Sequence, residues 1–316
     1  MGLGAAQRPH AEVVTETIRL GTRGSALARI QAELVRAALG RRRPKIDVRV
    51  VPIVTQGDRV QDRATDLDFT DAIDRALVAR EVDLAVHSAK DLPAVASQEV
   101  RLAAFLPRAD PRDALVLRTA GTLASLPPGT RLGSSSPRRR AQLRRARPDL
   151  ELVELRGNVD TRLARVQSGE IEGAVLAVAG LRRLGRADAV TEVLSAARFL
   201  PAPGQGAIAV AVRASDRALR RKVAELDDPR TRAAVIAERS FVEGVGGDCD
   251  TPLGALATVR AGRLWLRAEL LSANGQRTVA GARRGAPNSA RVIGLGLAKG
   301  VLRAGGRTLL REARGG

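Results

Sequence analysis

The stretch VDLAVHSAKDLP, Val82 to Pro93, decides how this chain folds. Val82 to Val86 reads as a buried strand, and it runs without a break into the polar His87-Ser88-Ala89-Lys90-Asp91. A buried strand that ends on charged side chains is how a parallel α/β sheet delivers groups to a ligand. Working upstream, Phe69 to Arg80 reads as a helix and Ile46 to Val54 as a strand. Before them, Thr17-Ile18-Arg19-Leu20 reads as a strand that leads into a helix carrying Leu27, Ile30, Leu34 and Ala38 at helical spacing, with Gly40 as its stop. Downstream the alternation resumes: a strand before Gly133, a helix over Pro137 to Arg147, and strands over Leu152 to Leu155, Ala174 to Val178 and Ala207 to Val212. Strands alternating with helices predict mainly parallel sheets covered by helices, with ligands at the carboxyl ends of the strands.

The style changes after Leu226-Asp227-Asp228-Pro229, which reads as a linker before a helix over Thr231 to Gly244. Ala255 to Val259 and Leu264 to Leu271 flank Ala261-Gly262 as a hairpin, and Val292 to Leu302 reads as an apolar helix. The last third is therefore expected to be a small α+β unit. No repeat at a solenoid period is present.

Composition bounds the function without choosing it. At 316 residues the chain has room for two or three domains and a cleft between them. No apolar run approaches the ~20 residues that span a bilayer, so no membrane association is expected. Met1 to Glu16 lack the apolar core of a secretory signal and read as a loose tail, and a lone cysteine forms no internal disulfide; both make the cytoplasm the default expectation. The net charge of +19 comes almost wholly from arginine, the lysines being only Lys45, Lys90, Lys222 and Lys299. Guanidinium is the group suited to forked capture of carboxylate or phosphate, although solvated arginines of a GC-rich genome would give the same excess. No nucleic-acid-binding module and no interleaved aromatics accompany the charge, so any such contact would be nonspecific. No metal site is read in the sequence.

Several polar, glycine-rich or arginine-rich segments follow strands: TRGSALA (Thr22 to Ala28), HSAKDLP (His87 to Pro93), GSSSPRRRAQL (Gly133 to Leu143), RGNVDTRL (Arg156 to Leu163) and AGLRRLG (Ala179 to Gly185). PAPGQGA (Pro201 to Ala207), AERSF (Ala237 to Phe241) and GDCDTPLG (Gly247 to Gly254) continue the series. In this order the set resembles the hydroxymethylbilane synthase, or porphobilinogen deaminase, family from about Ile18 to the C-terminus. The resemblance implies two doubly wound α/β domains like type II periplasmic binding proteins, plus a small C-terminal α+β domain. Residues 17–112 with 204–226 would form domain 1, 113–203 domain 2 and 230–316 the cofactor-carrying domain, after a tail over 1–16.

The resemblance implies a transferase that joins four porphobilinogen units into linear hydroxymethylbilane with release of ammonia, in tetrapyrrole biosynthesis, acting as a monomer. Its cofactor would be a dipyrromethane held by a thioether at Cys249. A lone cysteine is most often a small buried hydrophobe, but Gly246-Gly247-Asp248 and Asp250-Thr251-Pro252 place this one on a polar loop where a thiol can attack an electrophile. Asp91 would assist proton transfer as the amine leaves and stabilise the cation left behind; its plainer reading is a helix N-cap. Arg23, Arg138, Arg139, Arg156, Arg162 and Arg183 match the family's substrate- and cofactor-binding positions. Ser135 and Ser136 would add donors at a helix start, and Lys90 would meet a cofactor carboxylate or Asp91. Gln205, Gly206 and Asp58 are further matched positions, Asp58 reading equally well as a turn former. His87 reads as structural. The chain departs from the pattern in a shortened lid over Arg59 to Asp68, in Asp71-Ala72 where Lys-Glu is usual, and in Asp248 where glycine is commoner. A slow or non-catalytic anion-binding homologue is the alternative these departures allow.

Overall fold

The computed structural model of the chain describes residues 16–53, 70–93, 97–248 and 250–313. The 1–16 tail (but for Glu16), the lid over 59–68, Asp58 and Cys249 lie outside them.

The first sheet takes its strands in the order β2 (Ile46–Ile53), β1 (Glu16–Arg23), β3 (Leu84–Ser88), β10 (Ile208–Arg213), β4 (Val100–Phe105). Strand β1 runs parallel to β2 and β3, whereas β10 is antiparallel to both of its neighbours. The second sheet repeats the scheme: β7 (Glu151–Val153), β6 (Arg131–Gly133), β8 (Gly173–Ala177), β5 (Asp113–Leu117), β9 (Glu192–Val193). Here β6 is parallel to β7 and β8, and β5 is antiparallel to β8. In each lobe the antiparallel strand is the one the chain supplies on crossing over from the other lobe, through 106–112 on the way out and 194–207 on the way back.

Both sheets are covered on both faces, which is why β5 and β10 are buried at every residue instead of alternating. On the first sheet, α1 (Ala26–Arg42) and α6 (Arg217–Ala224) bury Val35, Leu39, Leu219 and Val223 against one face. Helix α2 (Asp71–Val78) buries Ile73 and Leu77 on the other. On the second sheet, α3 (Pro137–Ala146) packs Leu143 against Leu115, Leu132 and Val175. Across that sheet, α4 (Val159–Gln167) and α5 (Val178–Arg183) pack Leu163, Val166 and Leu181 on Val116 and Leu176. Doubly wound lobes are thus what the chain forms, and no described helix is long and apolar enough to cross a membrane.

The C-terminal unit is an antiparallel meander, β11 (Leu253–Arg260), β12 (Arg263–Leu271) and β13 (Thr278–Gly285). Its core lies under α7 (Pro229–Val245) and α8 (Ala290–Val301), where Phe241, Leu253, Leu266 and Leu297 meet; α9 (Arg307–Ala313) adds Leu309 and Leu310. The expected hairpin turn is present: Ala261 and Gly262 both have positive φ, 46° and 71°, the pair of left-handed residues that a two-residue turn between twisted strands requires.

The structure corrects several local expectations. Leu34 is 43% exposed, and the buried face of α1 is Gln31, Ala32, Val35 and Leu39. Gly40 does not end that helix, which continues to Arg42 because nothing at Gly40 supplies a competing cap. Val292 is 70% exposed, and Ile293 and Leu297 carry the core contacts of α8. Asp227 and Asp228 lie in the connection between α6 and α7, where both are anchored by hydrogen bonds. Asp227 accepts from the Phe105 amide at 2.8 Å and from Arg232 Nε at 2.6 Å, while Asp228 caps α7 through the Thr231 amide at 2.7 Å. Helix α7 accordingly serves two units, with Val235 packed against Phe105 and Ala209 of the first lobe.

Candidate active site

Strand β3 is buried through His87, and its backbone then tightens into one turn of 3-10 helix over Ala89–Asp91. That turn lifts Lys90 and Asp91 off the carboxyl end of the strand, both exposed to the cleft. Two contacts seat it. The Ala89 amide donates to the Ala207 carbonyl at 3.0 Å, and a Cβ on Gly204 (φ +75°) would lie 2.8 Å from the Ala89 carbonyl, so only glycine allows the returning crossover to pass beneath. His87 is buried, with Nε2 3.1 Å from Asp74 Oδ1, in keeping with a structural role.

The second lobe meets this turn with cations. Protein atoms crowd the Lys90 ammonium and, with the like charges of Arg139 and Arg162, hold its pKa below that of an ordinary lysine; Asp91 and Asp113 act against them. Arg162, in the first turn of α4, is pushed down to about 10 by burial and by Arg139, with Asp91 acting against them. Its Nε is buried without a hydrogen-bond partner. Lys90 and Asp91 from one lobe and Arg139 and Arg162 from the other therefore share one electrostatic field. A desolvated guanidinium with an unpaired Nε is a strong seat for a ligand carboxylate, since each charge-assisted bond it forms offsets the desolvation already incurred.

Under that seat lies Asp113, which heads β5 and is wholly buried. Burial alone would raise its pKa, but Arg138 and Arg139 on either side hold it well below the usual carboxylate range. Arg138 Nη1 reaches Oδ2 at 2.8 Å, Arg139 Nη2 reaches Oδ1 at 2.7 Å, and Gln205 Nε2 reaches Oδ1 at 2.9 Å. Both arginines are buried, 4% and 6% exposed. Arg138 also donates from Nη1 to Gln142 Oε1 at 2.9 Å and to the Leu200 carbonyl at 2.8 Å, tying α3 to the returning crossover. Arg139 forms the floor of the cleft, with Nη1 on the Val175 carbonyl at 2.9 Å. Two guanidiniums against one carboxylate leave the floor positive.

The remaining expected residues divide between lining and framework. Ser135 does not offer a free hydroxyl: it donates to the Leu155 carbonyl at 2.6 Å and accepts from the Leu155 amide at 3.2 Å, tying the loop after β6 to the one after β7. Ser136 is the N-cap of α3, accepting from the Arg139 amide at 3.4 Å. Gln205 is 1% exposed and spent on Asp113 and the Pro111 carbonyl, and Gly206 accepts from Arg183 Nη2 at 2.7 Å, so this pair ties one crossover to the other lobe. Burial lowers the pKa of Arg183. Arg156 pairs with Glu154 at 2.7 Å on an exposed edge, and Arg23 ends β1, half buried.

Sequence reading missed two framework acids. Asp113 could have been noticed as a carboxylate opening an otherwise apolar strand, DALVL. Glu238, wholly buried in the AERSF segment, accepts from Arg108 Nη1 (2.6 Å), the Gly204 amide (2.6 Å) and the Ala257 amide (2.6 Å), so both crossovers and β11 meet on one side chain.

Family models match nearly all of this architecture: "Porphobilinogen deaminase, dipyromethane cofactor binding domain" over residues 18–221, and "Porphobilinogen deaminase, C-terminal domain" over residues 232–303. The chain belongs to the porphobilinogen deaminase family. Among curated relatives, the porphobilinogen deaminase of Roseiflexus sp. (strain RS-1) is 46% identical over 300 residues, spanning 93% of this chain and 99% of that protein. That of Syntrophobacter fumaroxidans is 42% identical, spanning 93% and 97%. Among solved structures, the chain is similar to a TRAP periplasmic solute binding protein from Desulfovibrio salexigens at a TM-score of 0.41, with 10% identity over 67% of this chain and 72% of that one. In a porphobilinogen deaminase the bound group is a dipyrromethane, and the unpartnered Arg162 Nε, within the electrostatic reach of Lys90 and Arg139, belongs to a donor set that fits its carboxylates.

Proposed function

We propose that this chain is the transferase that builds linear hydroxymethylbilane from four porphobilinogen units, with loss of one ammonia per unit. The observation that carries the reading is the meeting of an acid, Asp91, with cations of both lobes, Lys90, Arg139 and Arg162, at the carboxyl ends of the strands. A dipyrromethane joined by thioether to Cys249 supplies the pyrrole carbon on which the chain grows. Lys90 and Arg162, with Arg23, Arg156 and Arg183 around them, bind and orient ring carboxylates. Arg139 keeps the floor positive, and Arg138, Ser135, Ser136, Gln205 and Gly206 hold that floor in place. Asp91 holds a proton on the departing amine side and then, as an anion, faces the cation that develops on the substrate.

Residues 17–112 with 204–226, 113–203 and 230–316 are the three domains of this reading, supported by sheet membership and by the two crossovers. A monomer in the cytoplasm, with only nonspecific contact to nucleic acid, completes it. The relatives' shared name over the full length favours this reading over the slow anion-binding alternative. The test is consumption of porphobilinogen with stoichiometric ammonia release. Native protein is expected to turn over, and Asp91→Asn to lose about 10²- to 10⁴-fold in kcat, the range for a positioned acid-base group. Near-native turnover by Asp91→Asn would remove Asp91 from its role, and inert native protein would favour the alternative.

A further inference from the structure

Beyond Asp91 the chain leaves the sheet, and what holds the far side of the Ala89–Asp91 turn comes from another unit. Arg239, on α7, donates from Nη1 to the Leu92 carbonyl at 3.1 Å and from Nη2 to the Pro93 carbonyl at 2.6 Å. The turn is therefore pinned at two points, by Ala207 on the amide of Ala89 and by Arg239 on the two carbonyls after Asp91. Pro93 has no N–H and β4 does not start until Val100, so among the described residues no ladder shares this load. Burial lowers the pKa of Arg239, with Glu243 acting against it; the guanidinium has given up water for these two carbonyls.

The helix that presents Arg239 is itself fixed. The preceding residue, Glu238, binds Arg108, Gly204 and Ala257, so α7 cannot shift relative to the crossovers or to β11 without breaking that junction. The same helix ends at Gly246, a left-handed cap three residues before Cys249. One rigid element thus holds the acid-bearing turn at its middle and leads into the cysteine loop at its end.

We infer that Arg239 is a positioning residue for Asp91, holding the acid-bearing turn in place; this rests on the role proposed for Asp91. A planar fork serves two adjacent carbonyls at once, and an ammonium does not. Arg239→Ala is expected to lower kcat by about 10²-fold, the loss a displacement of order 1 Å produces, with a smaller rise in KM, because Lys90 shares the turn while Arg162 on the other lobe is untouched. Arg239→Lys should fall between. Amide exchange at Ala89 to Leu92 should accelerate in both variants, a readout independent of turnover. Arg291→Ala, which releases Glu243 on the same helix from a 2.6 Å pair without touching the turn, serves as the control and should keep native kcat and exchange. Where Arg239→Ala yields no folded protein, Arg239→Lys carries the same two measurements. Native kcat and native exchange in the Arg239 variants, or equal losses in Arg291→Ala, would overturn the inference. Asp91→Asn in parallel separates the two failures: if it turns over normally, the proposed chemistry is wrong, and if it is dead while the Arg239 variants are normal, only the positioning role is wrong.

Discussion

Asp113 shows how far one side chain governs the cleft. It neutralises half the charge of Arg138 and Arg139 and fixes Gln205, so replacing it strands two buried guanidiniums. Asp113→Asn is expected to lower stability by about 3–5 kcal/mol at neutral pH, measured from denaturant midpoints. The sign with pH follows from its depressed pKa: the stabilisation is complete above the unfolded carboxylate pKa of about 4 and is lost only as pH falls through the lower folded value. The gap between native and variant should therefore stay constant from neutral pH down to about 5 and close only in strong acid. At this scale the sequence was half legible. Lys90 and Asp91 are neighbours on one strand end and could be read together. The partner of Arg138 and Arg139 lies 25 and 26 positions away, and no local pattern tells a ligand-binding arginine from one locked on a buried acid.

Among the elements, the strands buried on both faces were legible because they are short apolar runs, and their polar ends marked the cleft. Helix α1 was legible as a helix but not in its buried face. The apparent stripe of Leu27, Ile30 and Leu34 competes with Gln31, Val35 and Leu39, and the sheet beneath selects the second set. Leu27 instead turns to the other lobe, its Cδ2 3.6 Å from where a Cβ on Gly180 would stand, a contact that exists only once both lobes are folded. Strand β13, TVAGARRG, was missed because glycine, alanine and arginine carry no strand signal and its pairing comes from β12. The crossover 194–207 depends on a residue type that could be read but not explained from sequence: Gly206 has φ +85°, and a Cβ there would stand 2.6 Å from the Ala109 carbonyl oxygen. Gly206→Ala should cost at least about 2 kcal/mol, from left-handed strain together with the backbone clash, visible as a lowered midpoint; an unchanged midpoint would show that the crossover yields freely.

At the scale of the molecule, two lobes of the same strand scheme exchange one strand each, and Glu238 gathers both crossovers and the C-terminal meander on one carboxylate. That arrangement brings an acid on the first lobe, cations on the second and the meander of the third into one assembly. The family motifs made the assembly legible as a whole, while the junction holding it together was invisible because its partners are spread from Arg108 to Ala257. If the cleft works on a primer carried by the chain itself, the intact mass of the purified protein reports it. Protein made in tetrapyrrole-producing cells should exceed its sequence mass by two pyrrole units, and Cys249→Ser should lose that increment. Native protein at its bare sequence mass, with Cys249 unmodified, would rule out such a primer.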